Sequence, residues 1–258
     1  MAIVLKTSDQ MEQMRAAGRV VRKVLERCRE ICQPGITTAE IDQQGLEVIE
    51  SQEAVGLFKG YRIPGVDPFP SNLCISVNEV VVHGIAGQTV IKDGDIVGVD
   101  CGVKLNDWCG DAAETFEVGN VSPKVQELCE VTRHVLALAV EQIRPGRKWS
   151  QIARLMQAYV EKRGMSVVRN YVGHGIGQDM HEDPQVPNYV SRDTLRRDID
   201  LREGMVLAIE PMVNLGSAET VTLKDGWTVV TKDRKPSAHY EHTIAVTADG
   251  AEVLTDGR

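Results

Sequence analysis

The hydrophobic positions follow a helical period, then an alternating one, and then the same succession begins again. From residue 8 onward Met11, Met14, Gly18, Val21, Val24, Leu25 and Cys28 recur at helical spacing with charges on the remaining face, and Ser8 is a suitable N-cap. Pro34-Gly35 stops this helix, and a second, opened by Thr38, carries Ile41, Leu46, Val48 and Ile49 to about Ala54. The stretch GYRIPGVDPFPSN (60–72) holds three prolines and two glycines and reads as a surface loop. Strands are expected at 73–77, 80–82, 90–91, 95–103 and 112–118.

A helix over 121–143 follows, with Val125, Leu128, Cys129, Val135, Leu136 and Ala139 inward, and it ends at Arg144-Pro145-Gly146. Another starts at Ser150, with Ile152, Leu155, Met156, Tyr159 and Val160 as its stripe. Pro34-Gly35, Ile41 and Ile49 correspond at one constant offset to Pro145-Gly146, Ile152 and Val160, which marks an internal duplication. The expectation is a single α+β domain over 1–258, built from two pseudo-twofold related halves, about 8–118 and 121–247. Their strands would join in one curved central sheet with the helices outside, and a cleft would lie on the concave face where both halves meet.

Against this pattern the stretch IVGVDCGVKLNDWCGDAAE (96–114) stands apart. Ile96, Gly98, Asp100 and Gly102 share one face of a strand, and Val97, Val99, Cys101 and Val103 share the other, so Asp100 lies between two residues without side chains. A polar turn at 104–107 and a second strand beginning near Asp111 would bring the two acids toward each other. Taken alone, such a pair is more often structural than catalytic: Asp100 reads as a hydrogen-bonded turn residue and Asp111 as an ordinary loop acid. The apolar run into Asp100 changes that balance, because an ionised carboxylate there needs a strong partner to offset its desolvation. A metal ion is the economical one.

Composition narrows the classes. At 258 residues and 42% apolar content the chain can bury a substantial core, and a formal charge of −8 argues against binding a phosphate backbone, so no nucleic acid partner is expected. Six cysteines without a CxxC pair fit free thiols in a reducing compartment. MAIVLKTSDQ has no signal-peptide core, and no apolar run approaches the ~20 residues needed to span a bilayer. A cytoplasmic protein with no membrane partner is the expectation.

Further chemistry lies at Val82-His83-Gly84-Ile85, at the glycine-flanked His174, at Ala208-Ile209-Glu210-Pro211-Met212 and at Ala238-His239-Tyr240-Glu241-His242-Thr243. Each has an ordinary structural reading when taken alone. Together, Asp100, Asp111, Glu210, Glu241 and His174 form a hard, oxygen-rich ligand set, and bridging carboxylates can hold two divalent ions ~3.5–4 Å apart. GHGIG lacks the lysine of a phosphate loop and the spacing of a dinucleotide fingerprint, and no basic cluster is present to hold a phosphate substrate. Amide hydrolysis is therefore the better expectation. Tyr61 and Phe69, two rings on the proline-rich loop, serve either as a pocket wall or as loop anchors.

In this order, HGI at His83, VGVDCGV at Asp100, GDAAETF at Asp111, GHGIG at His174, HEDPQVPN at His181, IEPMV at Glu210 and AHYEHTI at Glu241 resemble the type I methionine aminopeptidases of the bacterial kind, over essentially the whole chain. The resemblance implies the pita-bread fold. It implies five metal ligands, Asp100, Asp111, His174, Glu210 and Glu241, with Asp111 and Glu241 bridging two divalent ions (Co, Mn, Fe or Zn). Glu210 matches the general base or proton shuttle as well. His83 and His181 match the two non-ligand histidines at the scissile region, and Tyr61, Phe69, Cys74 and Trp227 resemble the methionine side-chain pocket.

The implied activity is removal of the initiator methionine from nascent polypeptide N-termini near the ribosome exit. A monomer would do this, preferring a small second residue, by attack of a hydroxide held on the metals. Met180 stands before His181 where the family usually has an aromatic residue, and the 60–72 loop is longer than expected. Two rivals share the fold. Xaa-Pro aminopeptidases and prolidases usually carry a further N-terminal domain, for which a first helix beginning almost at residue 8 leaves little room. Pita-bread scaffolds have lost metal ligands, whereas all five positions here hold suitable residues.

Overall fold

The computed structural model describes residues 3–258. Helix α1 (Ser8–Ile31) is capped by Thr7, not Ser8: the Thr7 hydroxyl accepts from the Gln10 N–H, and the Gln10 side chain accepts from the Thr7 N–H. Thr37 and Glu40 form the same reciprocal cap on α2 (Thr38–Ser51). Both helices lay their apolar stripes, Val21, Val24, Ile41 and Ile49 among them, on the Val97, Val99, Cys101 and Val103 face of the long strand behind them. That is the face expected from the alternation.

The strands of the first half are β1 (Val55–Gly56), β2 (Cys74–Val77), β3 (Val80–Val82), β4 (Ile96–Leu105) and β5 (Trp108–Glu117). The antiparallel partners of β4 are β1, β2 and β5. Asn106 and Asp107 both have positive φ, at 48° and 66°, and make the two-residue turn between β4 and β5. So β5 starts at Trp108, and Asp111 sits inside the ladder opposite Gly102, not at the strand's beginning. Val90, expected in a strand, makes a single bridge to Thr37.

The second half begins with α3 (Pro123–Gln142) and α4 (Trp149–Glu161), then β6 (Ser166–Val167), β7 (Gly173–Gly175), β8 (Glu182–Val186) and a short α5 (Arg192–Arg196). There follow β9 (Val206–Ile209), β10 (Met212–Asn214), β11 (Thr220–Thr222) and β12 (Val229–Thr231), then β13 (Ser237–His239), β14 (His242–Thr247) and β15 (Gly250–Val253). A five-stranded sheet runs β15-β14-β9-β7-β8, and a smaller one, β11-β12-β3, ties a strand of the first half to two of the second. Leu128, Val135, Ile152, Met156 and Val160 of α3 and α4 pack on Leu207, Ile209, Ile244 and Val246. Leu155, expected in the α4 stripe, is 41% exposed, because the buried line there passes through Ala153 instead.

Backbone hydrogen bonds carry the duplication. Gly35 donates to the Ile91 carbonyl and Gly146 to that of Leu201; Thr38 donates to Thr89 and Trp149 to Ile199. Gly94 and Gly204 close equivalent turns at φ of 91° and 89°. The halves meet along β5, where two threonines play matching parts. Thr115 Oγ1 donates to the His239 carbonyl and accepts from its N–H, and Thr243 Oγ1 does the same for Asp111. Between them the Glu241 N–H donates to the Ala113 carbonyl at 2.8 Å. The result is a pita-bread fold: two pseudo-twofold related halves whose antiparallel strands form four hydrogen-bonded sheets among the described residues, with helices outside. No helix among the described residues is long and apolar enough to cross a membrane.

Packing at the junction of α1 and β5 is close. A Cβ on Gly18 would lie 2.0 Å from the Leu254 carbonyl oxygen, and one on Gly110 would lie 2.8 Å from the Gly18 nitrogen. Gly18→Ala gains helix propensity yet forces α1 off the sheet. We expect a net loss of about 2 kcal/mol, read as a lowered urea midpoint at unchanged m. An unchanged midpoint would show that this contact yields easily.

Candidate metal centre

β4 and β5 bring Asp100 and Asp111 onto one face as diagonal neighbours, since Asp100 is opposite Ala113 and Asp111 opposite Gly102. Glu210 follows directly on β9, Glu241 precedes β14, and His174 is the middle residue of β7, paired with Ala208. All five expected ligand residues therefore come together on the floor of a cavity of about 560 Å³. Asp111, His174 and Glu241 offer ligand atoms that all lie within 4.8 Å of one another. His174 Nε2 is 3.9 Å from Asp111 Oδ2 and 3.7 Å from Glu210 Oε1. Its other nitrogen, Nδ1, is 2.9 Å from the Gly175 carbonyl, so Nδ1 holds the proton and Nε2 presents its lone pair to the acids.

Burial and mutual repulsion dominate the electrostatics. Burial raises Asp100 to about 7, and it lifts Asp111, Glu210 and Glu241 well above the carboxylate range with help from neighbouring carboxylate charges. Burial lowers His174 to about 4, with the His181 charge acting in the same direction, so the imidazole is neutral. Asp100 Oδ1, Asp111 Oδ1 and Glu241 Oε1 are buried with no hydrogen-bond partner. Buried carboxylate oxygens left bare in this way, beside one neutral imidazole, match the needs of a divalent cation that favours oxygen and nitrogen donors.

The two other expected histidines border the same cavity. His83 follows β3 with φ at 56°, and its ring stands edge-on to Tyr171 at 5.3 Å between centroids. His181 lies 4.4 Å from His174 between ring centroids, and the Tyr61 hydroxyl is 3.3 Å from its Nδ1. Tyr61, Phe69, Cys74 and Trp227, expected as a side-chain pocket, also line the cavity. Phe69 and Trp227 meet edge to face at 5.3 Å, and Trp227 Nε1 donates to the Asp67 carbonyl, which pins the long loop.

Sequence reasoning missed Phe58, Tyr171 and His239. Phe58 is 7% exposed and packs with Phe69, Cys74 and Trp227, with Met180 against them. A Cβ on Gly102 would strike Phe58 at 2.8 Å and Met180 Sδ at 3.1 Å. An aromatic ring beside Met180 is thus supplied by Phe58, just after β1, and Gly102 makes room for it. His239 is 5% exposed, with Nε2 unpaired 3.8 Å from Glu210 Oε2 and 4.0 Å from Glu241 Oε2. Its mirror position across the threonine seam is that of Asp111, a signal available only once the register is known.

Four acids and an imidazole converging beneath an apolar-walled cavity define a metallohydrolase. A model of metallopeptidase family M24 matches residues 12–248. Methionine aminopeptidase 1 of Bacillus subtilis is 48% identical over 253 residues, covering 98% of this chain and 99% of that protein. The crystal structure of methionine aminopeptidase from Thermotoga maritima matches with a TM-score of 0.92 at 43% identity, covering 98% of this chain and 99% of that one. The prolidase from Pyrococcus furiosus shares the fold at a TM-score of 0.77 and 21% identity, and this chain covers 66% of it. The chain belongs to metallopeptidase family M24.

Proposed function

We propose that this protein is a methionyl aminopeptidase that removes the initiator methionine from nascent polypeptides. The observation that carries the reading is the convergence of Asp100, Asp111, His174, Glu210 and Glu241 under a cavity whose wall is Phe58, Phe69, Cys74 and Trp227. Identity of 48% with a named methionine aminopeptidase along nearly the whole chain supports it. It works as a monomer in the cytoplasm near the ribosome exit, prefers a small second residue, and forms one catalytic domain with repeats at about 8–118 and 121–247.

The five residues would hold two divalent ions (Co, Mn, Fe or Zn); the bare oxygens of Asp100, Asp111 and Glu241 are where such charge is wanted. Bound there, the ions would supply Lewis-acid polarisation and a water that ionises near neutral pH. The chain does the rest. Glu210, buried among other acids, takes a proton from the attacking water and delivers it to the leaving amine. His83 and His181 donate hydrogen bonds to the carbonyl oxygen as negative charge develops on it. Burial lowers both imidazoles, His83 to about 4, so each is a neutral donor that keeps its proton. The Phe58, Phe69, Tyr61 and Trp227 rings and Cys74 receive the methionine side chain.

The test is hydrolysis of Met-Ala-Ser and Gly-Pro-Ala by protein stripped of metal and then given Mn²⁺ or Co²⁺. Release of methionine, dependent on added metal, is the expected result. Cleavage before proline would move the protein to the prolidase side, and inactivity on both would leave only a binding scaffold.

A further inference from the structure

Residues 3–7, ahead of α1, form no regular element, yet they contain one of the most deeply buried charges among the described residues. Lys6 is 5% exposed, and its Nζ donates to Glu182 Oε2 at 2.5 Å and to the Val4 carbonyl at 3.2 Å. Its backbone N–H donates to the Gly204 carbonyl at 2.7 Å, which fastens the segment to the turn before β9. A buried ammonium loses its hydration, so it stays charged only where a carboxylate and other acceptors replace the water. Glu182 and Val4 provide that replacement.

Glu182 is the residue after His181. The loop from Gly177 to His181 has few other ties: Gly177 donates to the Asp179 carbonyl, Cys109 donates through its N–H to the Gly177 carbonyl and through Sγ to the Gln178 carbonyl at 3.4 Å, and the Asp179 N–H reaches Glu182 Oε1 at 3.4 Å. Glu182 thus binds with both oxygens, one to Lys6 and one to the loop backbone. Gly177 leaves the space this requires, since a Cβ there would lie 2.3 Å from Glu182 Oε1 and 2.7 Å from Lys6 Cε. On its far side the loop presents Met180 and His181 to the cavity, where Tyr61 meets His181 Nδ1.

We infer that Lys6 is a positioning residue for the reaction: through its buried ion pair with Glu182 it holds the 177–182 loop, and thereby sets the place of the His181 imidazole over the metal centre. The inference rests on the role given to His181 under the proposed function. An imidazole that must meet a developing oxyanion tolerates little displacement, and a shift of ~1 Å costs up to ~10²-fold in rate. Neither Lys6 nor Glu182 is placed among the metal-holding residues, so the effect belongs to turnover and not to metal binding.

The experiment compares Lys6→Met, which keeps the aliphatic stem, and Glu182→Gln in the Mn²⁺-loaded protein, each alone and combined with His181→Ala. Expected is a roughly tenfold or greater fall in kcat for Lys6→Met and for Glu182→Gln, with Mn²⁺ affinity by calorimetry within about twofold of the parent. In the His181→Ala background either change should cost less than about twofold, because the group it positions is gone. A purely structural role would lower kcat equally in both backgrounds, and that result overturns the inference. So does a kcat within twofold of the parent. If Lys6→Met fails to fold, Glu182→Gln carries the comparison. A second readout stands apart from turnover: in protein with ¹³C-labelled histidine, the His181 Cε1–H resonance should shift or broaden in Lys6→Met. An unchanged resonance overturns the positioning role even if the protein proves inactive toward methionyl peptides, while failure of the parent to release methionine overturns the proposed function alone.

Discussion

His174→Ala should abolish turnover while the protein stays folded. The imidazole is the nitrogen donor of the expected ligand set, held by its Nδ1–H on the Gly175 carbonyl with Nε2 3.7 Å from Glu210 and 3.9 Å from Asp111. Removing it takes away a candidate ligand and lets the surrounding carboxyl groups shift. Disturbing an outer partner of a metal ligand costs ~10–100-fold, so losing the inner donor should cost at least ~10³-fold in kcat/KM. The fold has less at stake. His174 sits on a short strand whose backbone ladder does not depend on its ring, and its loss frees one carbonyl oxygen. Circular dichroism and a melting curve near those of the parent, with Mn²⁺ affinity reduced in parallel with rate, are the expected outcome. Full activity would remove His174 from the metal centre.

Metal removal should make stability fall as pH rises. In the metal-free folded protein Asp100 is raised to about 7, and Asp111, Glu210 and Glu241 are raised with it by burial and mutual repulsion. In the unfolded chain the same carboxyls ionise near ~4. Above that pH the folded state holds more protons than the unfolded state, so the free energy of unfolding decreases with pH until the folded-state groups have titrated. Between pH 5 and pH 8 about two of the roughly three units of displacement of Asp100 come into play, which corresponds to roughly 2–3 kcal/mol, or a melting temperature about 5–10 °C lower at pH 8 than at pH 5. Divalent ions should cancel most of this trend, since they stabilise the ionised carboxylates. Melting curves in EDTA and in Mn²⁺ at both pH values provide the check, and parallel trends with and without metal would contradict it.

The elements that were legible in the sequence are those with a local cause. Alternation placed Val97, Val99, Cys101 and Val103 against the helices and Asp100 on the opposite face between two glycines, and the ladder confirms both faces. The Pro-Gly turns and the isoleucines that follow them disclosed the duplication, later visible as matched bonds from Gly35 and Gly146. Where the reading slipped, the cause lay outside the local pattern. Asn106 and Asp107 both take left-handed backbone, so the turn needs only these two residues, and β5 began three residues before its expected start. Phe58 borders the cavity because Gly102, far along the chain, leaves room for its ring, and no periodicity records such a contact. His239 belongs to a stretch already marked for its chemistry, but its place beside Glu210 and Glu241 shows only once the hydroxyls of Thr115 and Thr243 define the seam.

That seam also makes the centre handed. β2 pairs Ser76 with Gly98, and β7 pairs His174 with Ala208, so the serine and the histidine occupy one position seen twice, as do Asp100 and Glu210. By the same symmetry Asp111 answers to His239 and Glu241 to Ala113. Only one pair of acids is therefore matched across the axis, and a substrate entering the cavity meets two chemically distinct sides.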